Sequence, residues 1–345
     1  MKTIEVSRIR PACLSKDGAR AHAISSARAT RVERKSGRAG AGTRTQAISN
    51  RPEKFASSDF ASLVDLAAAD IPETHHLQEQ VISEDTLCKL EIGVLDSGEG
   101  MKALRRFNDA LDSLAWREDW ESALEPVWAE MAYNLESFNP VFTACMLKVQ
   151  CTLGSSDYVA RDACLQSLIQ PLAGEYGLHE NEKLDKTHRE LFSDFYTSVT
   201  GRPLSHILGK SSTTLKPRAG QLLFAQMMKD IGSGGGVFDG PLHQASYALG
   251  YNLAVEYLAN PEKTWLLDSF QRLSNAMLEG KAKVDWKFLE VHALGEKEHA
   301  EIGHRAVSVF VPQAHARIVQ RAMEDHDRDF AAYYNQLARL IEETA

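Results

Sequence analysis

The sequence predicts an all-α protein, a helical bundle preceded by a basic leader of different character. From about residue 57 onward, apolar residues recur at helical spacing, and no stretch keeps the strict alternation of a strand. The main breaks fall at segments rich in Gly, Pro and Ser, such as GRPLSHILGKSSTTLKPRAG at 201–220 and GSGGG at 232–236. We therefore expect long helices that pack side by side.

The predicted helices follow one another along most of the chain. The first begins at SSDFASLVDLAAAD, where Ser57 or Ser58 can cap its N-terminus. Further helices are predicted at about 75–90, 100–115, 118–136, 139–153, 157–176, 184–200, 213–231, 240–259, 262–279, 283–309 and 311–342. We expect three regions: a leader at 1–55, a helical extension at 56–99 and the main helical domain at 100–345.

Residues 1–50 differ in composition from the rest of the chain. They hold eleven Lys and Arg against three acidic residues, a net charge of +8, and they lack apolar periodicity. We expect this basic leader to be disordered, with a transit peptide as the alternative. Because the whole chain carries −8, the other 295 residues carry −16, which argues against a nucleic-acid partner bound through a basic face.

The number of cysteines and the length of the apolar runs indicate which cellular compartment and which partners to expect. The five cysteines are odd in number and form no CxxC pair, which argues against a disulfide framework and a thiolate zinc site. No run approaches the roughly eighteen apolar residues of a transmembrane helix, so we expect no membrane partner. The expectation is a soluble protein of a reducing compartment, the cytoplasm.

The stretch FLEVHALGEKEHAEIGH at 288–304 carries three ligand-type side chains on one stripe of a predicted helix. At about 100° per residue, Glu296 lies about 40° and His299 about 20° from His292 around the axis. One metal ion could contact the whole set, whereas His304 falls on another face and is expected to be surface charge. The alternative is a polar helix face that is exposed to solvent. Ligand-type residues elsewhere in the chain decide between these two interpretations.

Glu256 is the best candidate for such a partner. It lies in SYALGYNLAVEYLAN, where it is the only carboxylate between Asp239 and Glu262 and its neighbours are those of a buried helix. Burying an unpaired carboxylate is costly, so we expect a cation beside it. The alternative is a glutamate at the surface of the bundle.

Two further segments offer ligands. In one, Glu175 closes an apolar helix and His188 opens the next after a charged loop, while Asp185 forms a DxxH pair with the same histidine. In the other, Glu130 and Glu136 are about 240° apart around a helix, so only one can face the core. We expect Glu130 to be that residue.

With these residues in place, about residues 100–310 resemble the haem-oxygenase-like diiron oxidases and oxygenases. The late helix of that family carries His, three residues, Asp, two residues and His, and this chain departs from it by having Glu296 at the Asp position. The family also has an apolar helix ending in Glu-Leu-Gly, an acidic loop and a His followed by Leu-Phe, here LAGEYG and HRELF. Its lone Glu lies about 30 to 36 residues before the late motif, where this chain has Glu256.

The resemblance implies a haem-oxygenase-like helical bundle that binds two Fe(II) ions and uses O₂ as co-substrate. It implies oxidation of a small amine, amino acid or aliphatic acid, by N-oxygenation or oxidative C–C cleavage, in specialised metabolism. An external electron donor and a homodimer are further expectations. The residues that it assigns as metal ligands are Glu130, Glu175, His188, Glu256, His292, Glu296 and His299.

Several other functions stay open. A ferritin-like four-helix bundle binds the same metals through two ExxH pairs, here Glu296 with His299 and Asp185 with His188, and gives His292 no role. A metal-independent relative of haem oxygenase would need no buried carboxylate, and a helical binding scaffold would need none of these residues. Haem is disfavoured because the carboxylates around the candidate histidines do not suit an apolar porphyrin pocket.

Overall fold

The all-α prediction is confirmed. The computed structural model describes residues 80–178, 185–208, 218–233, 240–277 and 284–344, and within these ranges the chain forms helices and no strand. The predicted basic leader and the helix predicted from residue 57 lie outside the described residues. None of the described helices has the length and apolar character needed to cross a lipid bilayer.

Ten α-helices are found in the described ranges. They are α1 Glu84–Leu90, α2 Glu99–Ser113, α3 Trp120–Gln150, α4 Tyr158–Glu175, α5 His188–Thr200, α6 Ser205–Leu208, α7 Arg218–Ser233, α8 Pro241–Met277, α9 Lys287–Phe310 and α10 Ala316–Glu342. A π-helical turn, Glu91–Asp96, follows α1. Neither this turn nor the short helix α6 was predicted from the sequence.

Two predicted helix boundaries are wrong. The segments 118–136 and 139–153 form the single helix α3, and 240–259 and 262–279 belong to the single helix α8 as far as it is described. Pro140 and Pro261 lie inside these helices, where each lacks the N–H of a helical hydrogen bond. The helices continue because residues beyond each proline, such as Val141 and Leu266, are buried in the core.

Helix α8 is the centre of the bundle and packs against α2, α3, α9 and α10. Helix α10 runs alongside it in the same direction, since Tyr247 donates to Asp325 and Tyr251 to Asp329, both at 2.8 Å. Helix α9 packs against α8 in the opposite direction and also contacts α4 and α5. This arrangement brings α4, α5, α8 and α9 together at one side of the core.

A buried aspartate of α10 caps another helix of the bundle. The backbone N–H groups of Glu99 and Gly100, at the start of α2, donate to Asp327 at 2.9 and 3.0 Å. These groups have no partner within their own helix, and the negative charge suits the helix N-terminus. A Cβ atom on Gly100 would lie 2.7 Å from Oδ1 of Asp327, so the close approach requires glycine.

We predict that Asp327→Ala lowers the free energy of unfolding by about 2–3 kcal/mol, because it leaves two N–H groups without an acceptor. Asp327→Asn keeps one acceptor and costs about 1 kcal/mol. Urea unfolding measures both changes. Glu324→Ala, at an exposed position of the same helix, is the control and changes the value by less than about 0.5 kcal/mol. An equally small effect at Asp327 would contradict the capping role.

A second polar contact joins α10 to α8 and α7. Burial raises the pKa of Asp329 to about 6, and the nearby Asp230 adds to this rise while the hydrogen bond from Tyr251 opposes it. Because the folded-state pKa lies above the usual value near 4, the native state holds an extra proton between about pH 4 and 6. The contribution of Asp329 to the free energy of unfolding therefore falls as the pH rises through that window.

We predict that Asp329→Asn removes this dependence, because asparagine accepts the Tyr251 hydrogen bond without ionising. Between about pH 4 and pH 7.5, the unfolding free energy of the variant should rise relative to that of the parent by about 1–2 kcal/mol. This is less than the full effect of the pKa shift, because Asp329 is partly exposed to solvent. Urea titrations at each pH test this. The exposed Asp268→Asn should show a constant difference, and a constant difference for Asp329→Asn would refute the assignment.

Candidate metal centre

The start of α5 fixes the position of His188. Thr187 caps the helix, accepting from the N–H of Glu190 at 3.2 Å, while the Glu190 carboxylate accepts from the N–H of Thr187 at 2.8 Å. Such a reciprocal capping box sets where a helix begins. His188 is the first residue of α5, and Glu175 is the last residue of α4. Both therefore lie at well-defined helix ends.

Glu175, His188 and His292 converge on one point. Each offers one ligand atom, and these atoms all lie within 4.8 Å of one another. Nδ1 of His188 is 2.7 Å from Oε1 of Glu175 but does not meet the angular geometry of a hydrogen bond. The two imidazole rings are tilted by 60° with centroids 4.3 Å apart. Two ligands of one metal ion approach each other in this way, since atoms about 2.1 Å from an ion and at right angles are about 3 Å apart.

His292 is held in the form that binds metals. It is 5% exposed, and its Nδ1–H donates to the backbone carbonyl of Phe288 at 2.6 Å. This bond leaves Nε2 as the ligand atom and fixes the ring, as backbone carbonyls do for metal-binding histidines. Burial, followed by the charges of His188 and Lys263, lowers the pKa of His292 well below its usual value, so the imidazole is neutral.

Glu256 and His299 form a neighbouring pair across α8 and α9. Glu256 is 2% exposed, and its Oε2 lies 3.8 Å from Nδ1 of His299. His299 lines the same cavity as His292, two helical turns along α9. The backbone of Glu296 lies in α9 one turn before His299, but its side chain is outside the described part of the structure, as is that of Glu136.

The structure places Glu130 at a helix N-terminus instead of in the cluster. Its carboxylate accepts from the N–H groups of Ala219 and Gly220, at 3.1 and 2.7 Å, and so caps α7. Burial raises the pKa of Glu130, and the backbone hydrogen bonds oppose that shift. The role is the same as that of Asp327 at α2.

Asp185 is also separate from the cluster. Its side chain is 42% exposed, and its Oδ1 lies 3.5 Å from Nζ of Lys287. The DxxH pair that a ferritin-like site would need is therefore not assembled with His188. The contact that His188 makes instead is with Glu175, which the haem-oxygenase-like resemblance implied.

A second group of ligand-type side chains lies at the π-helical turn. His304, expected from the sequence to be surface charge, is 3.0 Å from Glu91, which is only 4% exposed. The expectation fails because α1 packs against α9 and places Glu91, at the start of the π-helical turn, beside His304. Cys88 completes the group within 4.8 Å, but it is disulfide-bonded, so its sulfur is not a thiolate ligand.

A cavity of about 90 Å³ adjoins the cluster, with Glu175, His292 and His299 in its wall. Its other polar residues were not singled out from the sequence: Asn134, Glu262, Lys263, His326, Tyr333 and Tyr334. Glu262 and Lys263 follow Pro261, at the predicted start of the helix 262–279. His326, Tyr333 and Tyr334 lie on the buried face of α10, whose apolar residues recur at helical spacing in the sequence.

Two imidazoles and one carboxylate at one point suit Fe(II) and similar divalent ions, which such facial sets bind with positions left open. The fixed tautomer of His292 and the absence of a thiolate from this group agree with that choice. Fold and site together define the class of protein as an all-α bundle with a candidate histidine and carboxylate metal centre.

Comparison with known proteins does not narrow this class of protein further. No protein-family model matches the chain, and no curated protein matches it. Two crystal structures of a CADD-like protein of unknown function from Nostoc punctiforme are similar. They are 16% and 17% identical, with TM-scores of 0.45 and 0.42, and cover 70% of this chain and 97% and 96% of that one. At these values neither structure supports an argument about function.

We predict that Glu130 and Glu175 respond differently to replacement. Glu130→Ala lowers the free energy of unfolding by about 2–3 kcal/mol, since it removes the cap of α7, and leaves Fe(II) binding unchanged. Glu175→Ala abolishes or strongly weakens Fe(II) binding. Urea unfolding and bound iron per chain are measured on both variants. Loss of iron from a folded Glu130→Ala protein would contradict this separation.

Proposed function

We propose that the protein is a non-haem diiron oxygenase that oxidises a small amine, amino acid or aliphatic acid. The observation that carries the proposal is the convergence of Glu175, His188 and His292, from three different helices, on one point beside a cavity. The resemblance of the sequence to haem-oxygenase-like diiron enzymes supplies the reaction class. N-oxygenation or oxidative C–C cleavage is the chemistry that we favour.

Each residue of the first set has a defined task. Glu175 and His188 would hold one ion from the ends of α4 and α5, and His292 would bind through Nε2 while Phe288 keeps its ring in place. The second ion would lie near Glu256 and His299, with Glu296 as the further ligand that the sequence motif predicts. Bound iron supplies the capacity to bind and reduce O₂.

The surroundings of the site favour oxidation in a dry space. Apolar and aromatic side chains, among them Phe192, Phe288 and Leu135, line the cavity beside the cluster. Excluding water strengthens the electrostatic interactions there and prevents side reactions. The net reduction of O₂ needs electrons beyond those of the substrate in most such reactions, so we propose an external electron donor.

Iron loading under anaerobic conditions tests the proposal. We expect about two Fe(II) per chain, by the ligand sets above, and a transient visible absorption band with O₂ uptake after mixing with oxygen. His292→Ala should lose the band, because the first ion loses a ligand. Glu256→Gln should reduce iron loading, because a neutral amide replaces a buried carboxylate.

The control for these variants is His206→Ala, at a histidine whose side chain is 47% exposed on the short helix α6. It should load iron and react with O₂ like the parent. Failure of the folded parent chain to bind iron would overturn the proposal. Iron binding that His292→Ala leaves unchanged would overturn the ligand assignment.

A further inference from the structure

Two buried polar atoms in the wall of the cavity have no hydrogen-bond partner among the described residues. They are the hydroxyl of Tyr333 and Nδ1 of His326, and both residues are 3% exposed. Buried polar groups in native proteins are nearly always hydrogen-bonded, so each such atom calls for a ligand or an ordered water. Both residues line the same cavity as His292 and His299.

The charge state of these two groups limits the chemical class of ligand that they can bind. Burial, together with the charges of Glu130 and Glu262, raises the pKa of Tyr333 well above its usual value, so the hydroxyl stays protonated and can donate. Burial lowers the pKa of His326 to about 3, so its ring is neutral at physiological pH. Neither group offers a charge to a ligand.

The donor character of Tyr333 excludes two kinds of ligand group. An ammonium group has no lone pair and cannot accept the hydrogen bond of the hydroxyl. A carboxylate could accept it but would lie near the buried Glu130 and would lose its hydration in a mainly apolar cavity. An uncharged acceptor, such as a hydroxyl or a carbonyl oxygen, avoids both problems.

The cavity also limits the size and polarity of the ligand. Because a cavity needs about 10–15 Å³ of this volume for one water molecule, the 90 Å³ cavity has room for about six to nine water-sized groups. Most of the wall is apolar, including Phe107, Leu223 and Phe330. Glu262 and Lys263, which also line it, form an ion pair at 2.5 Å and so offset each other's charge.

We infer that the cavity binds a small, mainly apolar molecule of about six to nine non-hydrogen atoms, with an uncharged hydroxyl or carbonyl group that accepts a hydrogen bond from Tyr333. This group is distinct from any amine or acid group that reacts at the iron. The inference rests on the proposed function only in naming this molecule as the substrate, since the binding itself involves no metal.

Calorimetric titration of the full chain, with and without bound iron, tests the inference. The probes are hexan-1-ol, hexanoate, hexylammonium and 1-chlorohexane, which share one apolar chain and differ in the terminal group. We expect hexan-1-ol to bind most tightly. Tyr333→Phe should lower the affinity for hexan-1-ol about 3- to 10-fold, the effect of one neutral hydrogen bond. Its affinity for 1-chlorohexane should stay within about twofold of that of the parent.

Tyr158→Phe is the matched control, because this tyrosine is 67% exposed, outside the cavity wall. It should change no affinity. If Tyr333→Phe does not fold, the order of probe affinities in the parent chain decides, and hexan-1-ol is still expected to bind most tightly. Preferential binding of hexanoate or hexylammonium, absence of hexan-1-ol binding, or an equal loss for all probes would overturn the inference.

The two proposals fail in different ways. A chain that binds hexan-1-ol through Tyr333 but takes up no iron would retain the cavity assignment and lose the oxygenase. A chain that takes up two irons but binds none of the probes, or binds them without regard to Tyr333, would retain the metal centre and lose the ligand class.

Discussion

The burial of carboxylates inside an apolar helical bundle is the constraint on which the rest of the structure depends. An ionised carboxylate away from water is strongly destabilising unless cations or several N–H donors surround it. Glu130, Glu175, Glu256 and Asp327 are all less than 9% exposed. The helices are therefore arranged so that each of these groups meets a specific partner.

The bundle uses two kinds of partner for these groups. Glu130 and Asp327 accept hydrogen bonds from the first N–H groups of α7 and α2. Each contact joins the N-terminus of one helix to a side chain within another. Glu175 and Glu256 instead face imidazoles, His188 and His299. A buried glutamate in a helix is thus no evidence for metal by itself, and the nature of its partner separates a structural role from a ligand role.

The sequence was sufficient for the fold class, because helical periodicity is local. It named residues of the candidate site but did not show that Glu175, His188 and His292 meet, which depends on the packing of distant helices. It failed at Pro140 and Pro261, where tertiary packing carries a helix past a proline. It could not distinguish Glu130 as a cap from Glu130 as a ligand, since the N–H donors lie about ninety residues away. The apolar spacing of α10 does indicate its buried side, but which of its residues line the cavity depends on how other helices pack against it.

The central claim is that Glu175, His188 and His292 hold one metal ion and that Glu256 and His299 hold a second beside it. Anomalous diffraction at the iron absorption edge, from crystals loaded with Fe(II) without oxygen, tests this most directly. The account predicts two peaks, one in contact with each set, about 3.5–4 Å apart as in other two-metal sites. Crystals with no peak at these residues, or with iron bound only at Glu91 and His304, would contradict it.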